Sequence, residues 1–353
     1  MSIREGERFS PEEYKNHPRF ANIKHKHYVP VWNQNEKTGP LEDFVHVDAG
    51  HRADSTFPNL LPRKEVKVRK YTPKFGTEIK GVQLSSLSES ARDELALLAA
   101  QRGVIVFRNQ DLKDCPVETA AALGRHFGRN HIHPTEPNVP GSNEVYVVYR
   151  EQNDYYFQEL ADRRTNRMTW HADISFERQP SGTTILGILE RPELGGDTVF
   201  ADTTEAYERL SPAFQDRLKG LKAVYSSEGS IQNARALGGV VRRDGITTEH
   251  PIVRIHPVTK KKSLFVNPER TQYIVGFKRE ESEYSLNFLY DHITKSADLH
   301  VRANWEDGTV VVFDNRRCIH SAISDWNDNI SRHAFLIKPQ AERPTEELDD
   351  ISF

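Results

Sequence analysis

At 353 residues the chain has room for one large domain or two modest ones, with a sizeable buried core. Lys and Arg total 48 against 51 for Asp and Glu, so no strong net field recruits nucleic acid or an anionic membrane, and the expected partner is a small molecule. No apolar run approaches the roughly 20 residues of a spanning helix, Met1-Ser2-Ile3-Arg4-Glu5 has no apolar leader region, and two cysteines, Cys115 and Cys318, cannot build a disulfide framework; a cytoplasmic protein is expected.

In chain order, residues 1–65 are rich in Pro, Asn, His and charge and hold no sustained helical or strand period. Tyr28, Trp32, Phe44 and Leu60-Leu61 argue against disorder, so an extended arm is expected to lie on a body formed by residues 66–353. Residues 88–102 read as a helix, with a serine at its start, Leu95, Leu97 and Leu98 along it and Gly103 as its stop; Val104-Ile105-Val106-Phe107 follows as strand. A second helix fits 117–127. Short β-branched or aromatic runs then dominate, at 144–149, 183–189, 198–201, 264–266, 309–313 and 333–337. Helices fit 204–221, with a break at Leu210-Ser211-Pro212, and 280–294. Many short strands with a few outer helices predict a mainly β fold, a sandwich or jelly roll with flanking helices, rather than a parallel βαβ sheet.

Two histidines and one carboxylate on one side of a metal leave positions open for a co-substrate and dioxygen. The sequence form is His-x-Asp with a distant His, because a spacing of two puts both side chains on one face of a strand. With 15 histidines, roughly one chance His-x-Asp is expected, and the chain holds two, His46-Val47-Asp48 and His171-Ala172-Asp173. The first lies in the irregular arm, where no strand presets ligand geometry. The second follows Met168-Thr169-Trp170 and precedes the apolar Ile174 and Phe176, as a strand end entering a barrel mouth would. A buried strand, Thr309-Val310-Val311-Val312-Phe313, and a turn then lead to His320, a suitable third ligand; on its own, His320 reads more simply as a hydrogen-bonded core histidine.

Several segments match, in order, those of one family: Gly103-Val104-Ile105-Val106-Phe107-Arg108-Asn109-Gln110, Phe127-Gly128 with His131-Ile132-His133-Pro134, Trp170-His171-Ala172-Asp173, Gly195-Gly196-Asp197-Thr198, His256-Pro257-Val258-Thr259, Leu264-Phe265-Val266-Asn267, and Asp314-Asn315-Arg316 ahead of His320. From about Tyr71 to Pro344 the chain resembles the taurine dioxygenase group of Fe(II)/2-oxoglutarate oxygenases. The arm, with His51-Arg52-Ala53-Asp54 and Pro58-Asn59-Leu60-Leu61, is similar to the extension of fungal sulfonate dioxygenase-like members.

The resemblance implies a double-stranded β-helix (jelly roll), Fe(II) on His171, Asp173 and His320, and 2-oxoglutarate as co-substrate with O2. It further implies oxidation of a substrate C–H bond with release of succinate and CO2. Arg332, twelve residues after His320, matches the arginine that pairs with the far carboxylate of 2-oxoglutarate, and Thr198 matches the accompanying hydroxyl. Arginine suits that task because its planar fork pairs bidentately and stays charged when desolvated; alone, each residue reads equally well as a strand-edge charge and a strand residue. His133 matches a substrate-contacting histidine, and Phe265 is expected to line the same pocket; a zinc site built on His131 and His133 is disfavoured, since no further ligand lies at zinc spacing. Family members are commonly oligomeric, which leaves a homo-oligomer open. A non-catalytic β-sandwich binding protein, a zinc hydrolase and a cupin isomerase are the competing classes.

One departure bears on the substrate. The resembling sulfonate oxygenases carry a second arginine four residues after the first, and Arg332-His333-Ala334-Phe335-Leu336 places a leucine there. Leucine cannot balance a sulfonate, so the substrate is expected to present an apolar group to Leu336, or a charge held elsewhere, as an amino acid or a secondary-metabolite intermediate would. Taurine or another alkyl sulfonate is the alternative.

Overall fold

A computed structural model describes residues 17–33, 35–62, 66–150, 162, 164–236, 239–326 and 330–351. Its organising element is an eight-stranded sheet in the order Lys67–Lys70, Thr77–Lys80, Val104–Phe107, Val310–Asp314, Thr183–Glu190, Arg332–Ile337, Ser142–Arg150 and Asn138–Val139. A three-stranded sheet, His300–Ala303, Thr198–Asp202 and Cys318–Ala322, lies against it, and every pair within that smaller sheet is antiparallel.

The central strands Val104–Phe107, Val310–Asp314 and Arg332–Ile337 are buried along their length because both faces of the sheet are covered there, whereas the edge strand Lys67–Lys70 is charged and exposed. The two-residue period sorts their side chains. Ile105, Phe107, Val310, Val312, Ile185, Phe335 and Ile337 join the cluster formed with the helices, whereas Val104, Val106, Val311, Phe313, Leu186, Ala334 and Leu336 join the cluster shared with Phe200, Val301 and Cys318 of the small sheet. Each fully buried aromatic or branched side chain contributes about 1.5–3 kcal/mol. Gly187 is required on the helix-side face: a Cβ there would meet the Phe335 ring at 2.2 Å.

The helices at Glu89–Arg102, capped by Ser88, and Val117–Phe127 form as predicted. The expected break at Leu210-Ser211-Pro212 separates Thr203–Glu208 from Pro212–Leu218, where Ser211 accepts from the Phe214 amide and proline opens the helix. One expectation needs correcting and one element was not foreseen. The run at 264–266 is strand only as far as Leu264, in Lys262–Leu264; beyond the Phe265 amide, which still bonds the Ile252 carbonyl, Asn267 turns the chain by accepting from the Arg270 amide. Glu228–Ala236 is a helix that its polar sequence did not announce.

Described parts of the N-terminal stretch dock through specific groups. Tyr28 stacks on Phe335 at 5.0 Å and donates to the Leu112 carbonyl. The short helix Ala49–Arg52 is capped by Asp48 and tied to Asp93 through Arg52. Asp48 is also part of a buried ionic network. Arg316 contacts Asp48 at 2.5 Å, Asp314 at 2.7 Å and Glu342 at 3.2 Å, His256 meets Asp314 at 3.0 Å, and Arg254 pairs with Glu342 at 2.6 Å. Among the described residues no helix is long and apolar enough to cross a membrane.

Candidate metal centre

His171 and His320 come from distant parts of the chain and are locked face to face by an antiparallel bridge. The His171 amide donates to the His320 carbonyl at 2.9 Å, the His320 amide donates back at 2.8 Å, and the two rings lie 4.3 Å apart. Asp173, two residues on, falls on the same side, so the three side chains each offer one donor atom within 4.8 Å of the others. Among the described residues this is the one His/Cys/Asp/Glu cluster able to hold a metal ion. The other His-x-Asp copy is not one: Asp48 is spent on Arg316 and the Gly50 amide, and His46 lies 4.0 Å from Glu342.

Tautomer and burial suit the histidines to ligation. His171 Nδ1 donates to the Thr169 carbonyl at 2.7 Å, leaving the Nε2 lone pair available. Burial pushes the His171 pKa down, and burial together with the neighbouring His171 takes His320 to about 3. Both imidazoles are therefore neutral at physiological pH, the form that binds a metal. The His320 ring is wedged between Phe313, at 4.8 Å, and Phe200, stacked at 5.6 Å, and its buried Nδ1 finds no partner among the described residues.

The carboxylate is held from behind. Asn315 Oδ1 accepts from the Asp173 amide at 2.8 Å, Asn315 Nδ2 donates to Thr184 Oγ1, and Thr184 donates to Asp173 Oδ2 at 3.1 Å. Oδ1 is left facing His171. Asn315 stands between Asp314 and Arg316, so the buried ionic network acts as the clamp that positions it. The following residue, Ile174, has φ +44°, a conformation costing a β-branched residue about 1–3 kcal/mol, maintained directly beside the carboxylate. Asn315→Ala is expected to weaken metal affinity about 10–100-fold, since it removes the acceptor of the Asp173 amide and the donor that orients Thr184 towards Asp173 Oδ2; Mn(II) titration of the variant checks this.

A second feature of the site is a buried cation. Arg332 donates through Nε to the Gly196 carbonyl at 2.8 Å and through Nη2 to Thr198 Oγ1 at 3.2 Å, and its guanidinium lies 5.5 Å from the Trp305 ring centre. Gly195 and Gly196, at φ +84° and +67°, make the turn that presents this carbonyl. Asp197 pairs instead with Arg302, and no described carboxylate lies within ion-pair distance of Arg332. Burial, aided by Arg150, brings its pKa down to about 10. A guanidinium so buried with only neutral partners is poised for an incoming anion.

His133 is buried against Tyr146, 5.6 Å away, and Phe176, 6.3 Å away. Its Nδ1 accepts from the Thr135 and Glu136 amides, so the neutral ring carries its proton on Nε2 and can donate. Burial, followed by the charge of Lys338, pushes its pKa well below the ordinary value. His131 has both ring nitrogens engaged, one with the Tyr146 hydroxyl and one with Glu177, which also pairs with Arg243. Leu336 is buried on the inner face of its strand, opposite Tyr146 and Leu186. The structure does not bring Phe265 to this group: its ring packs with Tyr225 and His250 beneath Arg254.

Sequence reading missed Lys338. Its ammonium lies 2.9 Å from Asp173 Oδ1 and 5.0 Å from the Tyr146 ring centre. Burial would raise the Asp173 pKa, but Lys338 and the two histidines hold it below the carboxylate range. Counting by twos from Arg332 and Leu336 would have found it.

A mainly β scaffold carrying a two-histidine, one-carboxylate centre and a buried, anion-seeking arginine defines a non-haem metal oxygenase. Residues 67–336 match the family described as taurine catabolism dioxygenase TauD, TfdA family, and the chain belongs to it. It is 47% identical to the alpha-ketoglutarate-dependent sulfonate dioxygenase of Saccharomyces cerevisiae over 92% of this chain and 80% of that protein. It is 43% identical to an alpha-ketoglutarate-dependent dioxygenase of Penicillium expansum over 92% of this chain and 90% of that one. A taurine dioxygenase crystal structure from Burkholderia xenovorans superimposes with a TM-score of 0.67 at 27% identity, over 81% of this chain and 95% of that one. The chain is accordingly an Fe(II)- and 2-oxoglutarate-dependent dioxygenase that uses O2.

Proposed function

We propose that His171, Asp173 and His320 hold the iron, and that Arg332 with Thr198 holds the far carboxylate of 2-oxoglutarate, in a double-stranded β-helix formed by residues 66–353 with residues 1–65 as an arm upon it. The observation that carries this reading is the coincidence, in one interior, of three neutral-or-anionic donors within 4.8 Å of one another and a buried guanidinium without a carboxylate partner among the described residues. The donor set fits Fe(II). When bound, iron supplies the redox chemistry by which 2-oxoglutarate and O2 become succinate and CO2 while a substrate C–H bond is oxidised. The protein's groups do the rest. Thr169 and Asn315 preset the orientation of His171 and Asp173, the phenylalanines exclude water around His320, and Arg332 orients the co-substrate.

The substrate is a small organic molecule, an amino acid or secondary-metabolite intermediate, bound near Leu336 and His133. A second reading, an alkyl sulfonate, is favoured by the likeness to the yeast sulfonate dioxygenase and by the cation of Lys338. Cytoplasmic residence accords with either. Anaerobic titration tests the central assignment: Fe(II) and 2-oxoglutarate together should produce a visible charge-transfer band that neither produces alone. Iron binding without such a band, and without succinate, would overturn it.

A further inference from the structure

Lys338 stands where an ordinary structural lysine would not. Its side chain is only 12% exposed, and it continues the inward face of Arg332, Ala334 and Leu336. Its ammonium lies over the Tyr146 ring, against which His133 packs at 5.6 Å, and its carbonyl accepts from the amide of His131, two residues before His133. Its one ion-pair partner among the described residues is Asp173 Oδ1. That is the oxygen left open to the metal, because Thr184 holds Oδ2.

The pairing cannot persist unchanged when the centre is loaded. A dication on Oδ1 takes over the charge that Lys338 neutralised and repels the ammonium at short range. A lysine has three donors, four flexible methylenes and no need to leave the pocket; its ammonium already lies over the Tyr146 ring, and His133, whose proton is on Nε2, packs against that same ring. Charge counting points the same way. Iron, the Asp173 carboxylate, dianionic 2-oxoglutarate and Arg332 cancel to zero, and Lys338 adds one positive charge. Glu177 does not offset it, being already matched by Arg243. The half-buried Arg270, held by Ser230 over Phe176, adds to the positive side.

We propose that Lys338 is the substrate-anchoring cation of this enzyme: on loading of the metal it releases Asp173 and receives, with His133, the acid group of a monoanionic substrate, a sulfonate or a carboxylate. This rests on the iron and 2-oxoglutarate assignment above. It also supplies the charge that the leucine at 336 withholds, two residues further along the same strand face.

The test is calorimetric titration of the anaerobic Fe(II) and 2-oxoglutarate enzyme with butane-1-sulfonate, butyrate and butan-1-ol, for the wild type, Lys338→Met and Lys338→Arg. The charge-transfer band of the wild type is recorded first, so that a missing band counts against the iron assignment and not against Lys338. With the band present, one of the two anions should bind the wild type more tightly than the alcohol, about 20-fold or more weaker in Lys338→Met, and within a few-fold of wild type in Lys338→Arg. The anion retained identifies the acid. Equal anion affinity in wild type and Lys338→Met, no anion binding by the wild type, or a methionine variant that loses 2-oxoglutarate affinity instead would each overturn the proposal. If Lys338→Met does not form the band, Lys338→Gln against Lys338→Arg makes the same comparison.

Discussion

Replacing His171, Asp173 or His320 by alanine is expected to abolish substrate-coupled succinate release and the charge-transfer band together. Each change leaves two donors, and two do not hold a metal while keeping positions open for co-substrate and dioxygen. The informative control is the other His-x-Asp pair. His46→Ala should leave iron affinity within about twofold, because His46 sits beside Glu342 in the ionic network and not at the centre. Asp48→Asn should also retain iron, but at a cost of about 3 kcal/mol in unfolding free energy, since it takes one of three carboxylates from the buried Arg316. Metal titration and denaturant melts of the same variants separate the two effects. Comparable loss of iron in both sets would show that the centre lies elsewhere.

Arg332→Ala is expected to raise the KM for 2-oxoglutarate by about 2–5 kcal/mol in equivalent affinity, roughly 30-fold to several thousand-fold. Iron affinity measured without 2-oxoglutarate should stay close to that of the wild type. The asymmetry arises because, among the described residues, the Arg332 guanidinium bonds only a carbonyl and a hydroxyl and lies beside an aromatic face. Its removal therefore breaks no ion pair among the described residues, and the melting of the co-substrate-free protein should change little. A large loss of stability with unchanged dependence on 2-oxoglutarate would reassign Arg332 to the scaffold.

Of the sequence's two His-x-Asp motifs, local context alone selected His171-Ala172-Asp173, because apolar residues on both sides signal a strand end and the arm around His46 does not. The strand before His320 and the break at Ser211-Pro212 were equally local: a run of β-branched residues must be buried on both faces, and proline cannot sit inside a helix. What the sequence alone could not disclose depended on partners far along the chain. That Asp314 and Arg316 bind Asp48, that Asn315 thereby meets Asp173, and that Phe265 turns towards Tyr225 are consequences of which strands pair and in what register. The strand Thr198–Asp202 sets Thr198 beside Arg332 only because the two sheets face each other. Lys338 shows the boundary most clearly. Alternation assigns it to the inner face, but a lysine after a strand is ordinarily solvated, and only the packing of Tyr146 and Asp173 around it makes it an interior charge.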